Sequence, residues 1–293
     1  MDTDFRDWIG RTERVEDPLS WVQAQAAQAM LDEPGALLVD GDALPLPWHW
    51  FHFLPRAPQA ALDIDGHPRR GGFLPPIPYP RRMFAGARMR VHRPLRVGMP
   101  ALREGTIRDV VMKSGKTGAL AFVTVAYRFV QGGVLCLEEE QDIVYREPGA
   151  RVAAPQPVEL AAPPAGCWSR TLRPDTRLLF RFSALTFNAH RIHYDRAYAL
   201  DVEGYPGLVV HGPLTAVLLV QLLRQSTTRP VTAFSFRGVA PLFDLGPVRL
   251  MATPNQDAVD LQAQGPDGQL ALQATATLGA GQGVTGSQVP PGA

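Results

Sequence analysis

The chain has 293 residues, roughly twice the length of a common single domain, so two units are expected. With 45% hydrophobic and 19% charged residues it has ample material for a core. A formal charge of +1 leaves no basic field for nucleic acid or anionic lipid, and neither is expected as a partner.

The N-terminus, MDTDFRDWIG, is acidic and lacks the basic and apolar regions of a secretory signal, so a cytoplasmic protein is expected. SWVQAQAAQAML predicts a helix, with Ser20 as N-cap and Glu33-Pro34-Gly35 as its stop. Trp48 to Pro80 is broken by prolines and glycines and reads as a long loop. Its aromatic residues, Trp48, Trp50, Phe51, Phe53 and Phe73, make it a pocket wall rather than a disordered linker. Four strands are predicted next, in MFAGARMRVHRPL, REGTIRDVVMKS, GALAFVTVAYRFVQ and VLCLEEEQDIVYR, with turns at Lys116-Thr117-Gly118 and Gly132-Gly133. Cys136 lies in the last of these strands, far from Cys167, the other cysteine. That spacing supports neither a disulfide framework nor a zinc site.

Proline, alanine and glycine crowd the stretch from Glu147 to Gly166, which sustains neither helix nor sheet and reads as a linker. The expected division is therefore residues 1–146, a linker over 147–169, a second unit over 170–280 and a disordered tail over 281–293. In the second unit a short apolar strand is expected around Arg177 to Phe182. A helix follows over Gly212 to Ser226, apolar almost all round and so enclosed, although its longest apolar run is about half a membrane span. The final strands include a hairpin at Pro266-Asp267-Gly268. A strand, a buried helix and a run of antiparallel strands, repeated, make an α+β arrangement with each sheet curled round its helix.

Between the predicted strand and the buried helix lies FNAHRIHYD, Phe187 to Asp195. A helical turn would aim His190 and His193 at one ion, but no third ligand is evident and no metal is expected. A polar turn is the plain alternative, with Asn188 and His190 satisfying backbone groups and Asp195 capping a short helix at Arg196. Catalysis is favoured by the segment YPGLVVHGPLTAVLL. There Gly212 opens the buried helix, so free N–H groups and the helix dipole would face a developing negative charge. Gly207 and Gly212 would let backbone approach a ligand, Val210 would keep water scarce, and His211 sits at the helix start.

These two segments resemble the MaoC-like hydratase and dehydratase superfamily, double hot-dog proteins acting on coenzyme A thioesters. The usual Asp, Asn and His of that motif fall on Asn188, His190 and His193, so the histidine is kept and the carboxylate is not. FSALTFNAHRIHYD, GYPGLVVHGP and GGFLPPIPYPRRMFAG resemble more narrowly the mesaconyl-C4-CoA and itaconyl-CoA hydratase group. The resemblance implies a double hot-dog fold and hydration of an enoyl-CoA thioester. No cofactor is needed beyond the coenzyme A of the substrate, and one active site per chain and possible dimerisation are implied. Dehydration of a 3-hydroxyacyl thioester, thioester hydrolysis and non-catalytic acyl-CoA binding are the alternatives. An amide at Asn188 cannot act as a base, so His193 carries the proton chemistry, with His190 or Asp195 as a second path. The free carboxylate of such substrates would need a guanidinium, from Arg191, Arg81 or Arg82, while Arg69 and Arg70 could meet coenzyme A phosphates.

Overall fold

The structure is a computed structural model and describes residues 5–115 and 118–280. The first half comprises strand β1 (Thr12–Asp17), helix α1 (Trp21–Leu31) and strands β2 (Arg81–Val91), β3 (Ala101–Gly115), β4 (Gly118–Gln131) and β5 (Val134–Arg146). The second comprises β6 (Trp168–Leu172), helices α2 (Thr176–Leu185) and α3 (Gly212–Ser226), and strands β7 (Val231–Gly238), β8 (Val248–Asn255), β9 (Ala258–Gln264) and β10 (Leu270–Leu278). All ten strands join one antiparallel sheet in the order β1-β3-β4-β5-β2-β7-β10-β9-β8-β6. Renumbered within each half, both run first, third, fourth, fifth, second from the outer edge inward, so the sheet consists of two mirrored copies meeting at β2 and β7. This is the double hot-dog arrangement expected from the sequence.

The seam depends on sequence detail. Gly86 lies at an irregularity in β2, opposite Arg237 of β7, and a Cβ there would fall 2.3 Å from the Phe236 carbonyl oxygen. Beside it Phe84 stacks on Phe236 across the seam at 5.9 Å, and Trp50 meets both rings edge-on. α3 fills the concave face of the second half, with every side chain from Leu214 to Leu223 buried. Its buried Gln221 is satisfied by Arg170, Glu33 and the Leu31 carbonyl. Among the described residues the first half has no helix of that length. In its place stand a 3-10 turn, Trp48–Phe51, and the long loop to Pro80.

One predicted element is corrected. Residues 177–182 are helical, within α2, and the first strand of the second half is β6, upstream. Asp175 caps α2 by accepting the Leu178 N–H at 2.9 Å. Leu179, Phe182 and Ser183 turn inward while Phe180 faces out, a period of three to four that a short apolar run disguises. Residues 147–167 carry neither helix nor strand, and bond to the second half through Val152 N–H to Gly204 O and Val158 N–H to Pro266 O. The hairpin at Pro266-Asp267-Gly268 forms, with Gly268 at φ 76°. The tail at 281–293 and most of the turn at Lys116-Thr117-Gly118 lie outside the described residues.

Candidate active site

A cavity of about 1260 Å³ opens where the first half lacks a long helix. Both halves line it: Trp50, His67, Arg82, Phe84 and Arg146 from the first, Asn188, His190, His193, His211 and Gly212 from the second. Of the expected wall aromatics, Trp50 and Phe73 are only partly buried and Trp50 reaches the cavity. Trp48, Phe51 and Phe53 are core side chains.

His193 ends a 3-10 turn, Arg191–His193, and is buried. Its Nδ1 lies 2.7 Å from the Val209 carbonyl oxygen, which only an Nδ1–H can satisfy, so the lone pair is on Nε2. Burial outweighs that bond and pushes the ring down to about 4, so it is neutral at pH 7 and its Nε2 lone pair is unprotonated. His211 stacks on it at 3.6 Å, with Nε2 at 2.9 Å from Ser183 Oγ and a buried Nδ1 that has no hydrogen-bond partner among the described residues. Burial, then the neighbouring histidines, hold His211 well below the ordinary range. At the start of α3 the N–H groups of His211 and Gly212 make no hydrogen bond to a described residue. They are adjacent donors at a positive helix end, on the cavity lining.

Asn188 bends its own turn, its Oδ1 accepting the His190 N–H at 3.0 Å. His190 is buried, with its ring 5.3 Å from that of His193. Several other predicted residues are corrected. Asp195 caps the following turn at the Tyr198 N–H and holds Arg191 at 2.7 Å, and neither side chain lines the cavity. Arg81 is spent on Glu203, at 2.9 Å to the carboxylate and 2.6 Å to its carbonyl. Val210 lines the cavity, but its N–H is taken by the Leu242 carbonyl, so it is no oxyanion donor. Gly207 makes room for Asp244 and Leu245, not for a ligand. Arg70 holds the loop at the Ile77 and Pro80 carbonyls. Arg82 does line the cavity, and its guanidinium has no hydrogen bond or ion pair with a described residue.

Sequence reasoning missed Asp65 and His67. His67 Nδ1 lies 2.9 Å from Asp65 Oδ2, and its ring is 4.2 Å from that of His190. One donor atom from each of Asp65, His67 and His190 lies within 4.8 Å of the others. Asp65 and His67 are already hydrogen-bonded to each other, and the charges of Arg82 and Arg70 bear on His67, so the cluster suits a shared proton better than a cation. The available signal was an Asp-Gly-His triplet, whose central glycine permits a left-handed turn.

The sequence pattern of the hydroxyacyl-thioester dehydratase type 2 family matches residues 47–244, a span holding both the His67 loop and the His193 turn. The chain belongs to this family. It is 65% identical over 276 residues to the mesaconyl-C(4)-CoA hydratase of Chloroflexus aurantiacus, covering 94% of this chain and 98% of that one. It is 27% identical over 229 residues to the mitochondrial hydroxyacyl-thioester dehydratase type 2 of Schizosaccharomyces pombe, covering 69% and 75%. In fold it resembles HtdX of Mycobacterium tuberculosis, with a TM-score of 0.65 at 18% identity, covering 91% of this chain and 99% of that one. A MaoC-like dehydratase gives a TM-score of 0.70 at 15% identity, covering 94% and 99%. These last two likenesses are of the double hot-dog fold alone.

Proposed function

We propose that this family member is a hydro-lyase that adds water across the double bond of an enoyl-CoA thioester, with mesaconyl-C4-CoA as substrate and citramalyl-CoA as product. The observation that carries this reading is a fixed, neutral His193 whose free Nε2 shares a cavity with the unpaired N–H groups of His211 and Gly212. The thioester carbonyl rests on those two donors, which draws electrons from the conjugated double bond. Water attacks the β-carbon as His193 Nε2 takes its proton, and the donors hold the enolate until the α-carbon is protonated. The same groups support the reverse dehydration.

A substrate carboxylate finds Arg82, a cavity-lining guanidinium paired with no anion among the described residues. Identity of 65% to the Chloroflexus hydratase over nearly the whole chain supports that substrate class. The test follows enoyl-thioester absorbance with mesaconyl-C4-CoA, itaconyl-CoA and crotonyl-CoA, with products weighed by mass spectrometry. Gain of one water on a carboxylated substrate, lost in His193→Ala, is expected. Release of free coenzyme A instead would replace hydration by thioester hydrolysis.

A further inference from the structure

Hydration moves one proton from water to the α-carbon, so the site must take a proton in one place and give it in another. His193 is clamped by the Val209 carbonyl and by stacking on His211, and presents one nitrogen. Asn188 is an amide already engaged by the His190 N–H. The second proton carrier therefore has to come from elsewhere on the cavity wall.

Resting on the hydratase reading, we propose that Asp65 and His67 form the second proton-transfer unit of the site. His67 exchanges the proton at the α-carbon, Asp65 positions its ring and steadies its charge, and His190 relays between His67 and His193. The carboxylate missing at residue 188 is thus supplied by the other half of the molecule.

The loop that carries the pair is built onto the catalytic turn. The Arg191 N–H donates to the Asp65 carbonyl at 2.9 Å, and Arg191 Nη1 reaches the Ile64 carbonyl at 3.2 Å. Gly66 has φ 93°, and a Cβ there would fall 1.7 Å from the Ala189 carbonyl oxygen, so only glycine brings the loop this close. Asp65 accepts both the His67 N–H, at 2.8 Å on Oδ1, and the His67 ring, at 2.9 Å on Oδ2. Burial opposes a charge on Asp65, but the His67 bonds and charge outweigh it and hold the carboxyl well below its usual range. Burial, with Arg82 and Arg70, pushes His67 down, while Asp65 pulls it up. At neutral pH the pair rests as carboxylate and neutral imidazole.

The step balances without another reactant. The water oxygen bonds to the β-carbon, its proton goes to His193 Nε2, and the double-bond electrons move onto the thioester as an enolate. The proton passes through His190 to His67, whose imidazolium lies against Asp65. His67 then releases it as the enolate electrons form the α-carbon C–H bond, and all three rings end neutral.

The test uses methylsuccinyl-CoA, the saturated analogue of the proposed substrate, which has α-hydrogens and no hydroxyl to lose. Incubated with the whole protein in D2O, it should gain deuterium at the α-carbon, read by mass spectrometry. His67→Gln should slow exchange by about 100-fold or more, the range of a lost acid–base group. His193→Gln should abolish hydration yet keep exchange. Asp65→Asn should slow exchange and displace its pH profile, and Asp65→Glu should restore part of the rate, which a merely structural carboxylate would not do. Melting temperatures identify any variant that fails to fold, and Asp65→Glu and His67→Asn then serve as second variants. The proposal is overturned if wild type does not exchange, if His67→Gln exchanges normally, or if His193→Gln loses exchange equally. Stoichiometric zinc in wild type, with hydration lost to chelator, would give the cluster to a cation and also overturn it. Failure of wild type to hydrate any enoyl-CoA counts against the functional reading separately, since exchange is scored on its own.

Discussion

At the scale of single residues, the arginines divide by what they already touch. Arg81 and Arg191 have carboxylates within the chain, whereas Arg82 has none among the described residues and lines the cavity. Truncating Arg82 should therefore weaken the binding of substrates that carry an anion and not of those that lack one. For Arg82→Gln, KM for mesaconyl-C4-CoA is expected to rise about 10- to 100-fold, the worth of a charge-assisted bond, with KM for crotonyl-CoA unchanged. Steady-state kinetics on the two substrates checks this, and an equal rise for both would remove Arg82 from the carboxylate site. The sequence offered three arginines and could not rank them, because a guanidinium's availability depends on partners distant in the chain, such as Glu203 for Arg81. His193 was legible because the family motif is local and its histidine is kept. Asp65 and His67 were not, since their loop lies more than a hundred residues from the turn it completes.

Elements show a similar division. Strands β2 to β5 and the buried helix α3 are readable from composition and punctuation, whereas α2 is not. Its inward residues, Leu179 and Phe182, sit in a ten-residue run whose helical period emerges only with Asp175 as cap. The loop from Trp48 to Pro80 was readable as a wall but not as a carrier of reactive groups, because its shape is set by docking onto residues 189–191. That docking makes Gly66 its most sensitive point. A side chain there meets the Ala189 carbonyl, so Gly66→Ala should push the loop off the turn. A displacement of about 1 Å in a catalytic assembly can cost on the order of 100-fold, so kcat should fall at least tenfold while the thermal transition remains cooperative. An unchanged kcat, measured alongside the melting curve, would mean that loop position is irrelevant to the reaction.

For the whole molecule, the buried imidazoles tie stability to acidity. Burial is the first cause of the depression at His193, to about 4, and at His190, to about 2, and His67 and His211 are also lowered. In the unfolded chain each histidine titrates near 6.5. Between that value and the folded ones the unfolded state binds more protons, so stability rises with pH across the window and is lost as pH falls. Each such histidine contributes a slope of up to about 1.4 kcal/mol per pH unit there. Urea midpoints should drop between pH 7 and pH 5, and less steeply in His193→Gln; a flat response would mean the rings are not buried in neutral form. The mirrored strand order has a different kind of consequence. Two halves with one strand order need not carry the same helices or side chains. The second half keeps the long helix α3, the first has none in the equivalent place among the described residues, and the cavity occupies that space. Both halves thereby serve one cavity, so that changes before residue 147 and outside the Asp65–His67 loop can alter which guests fit while the groups around α3 stay fixed.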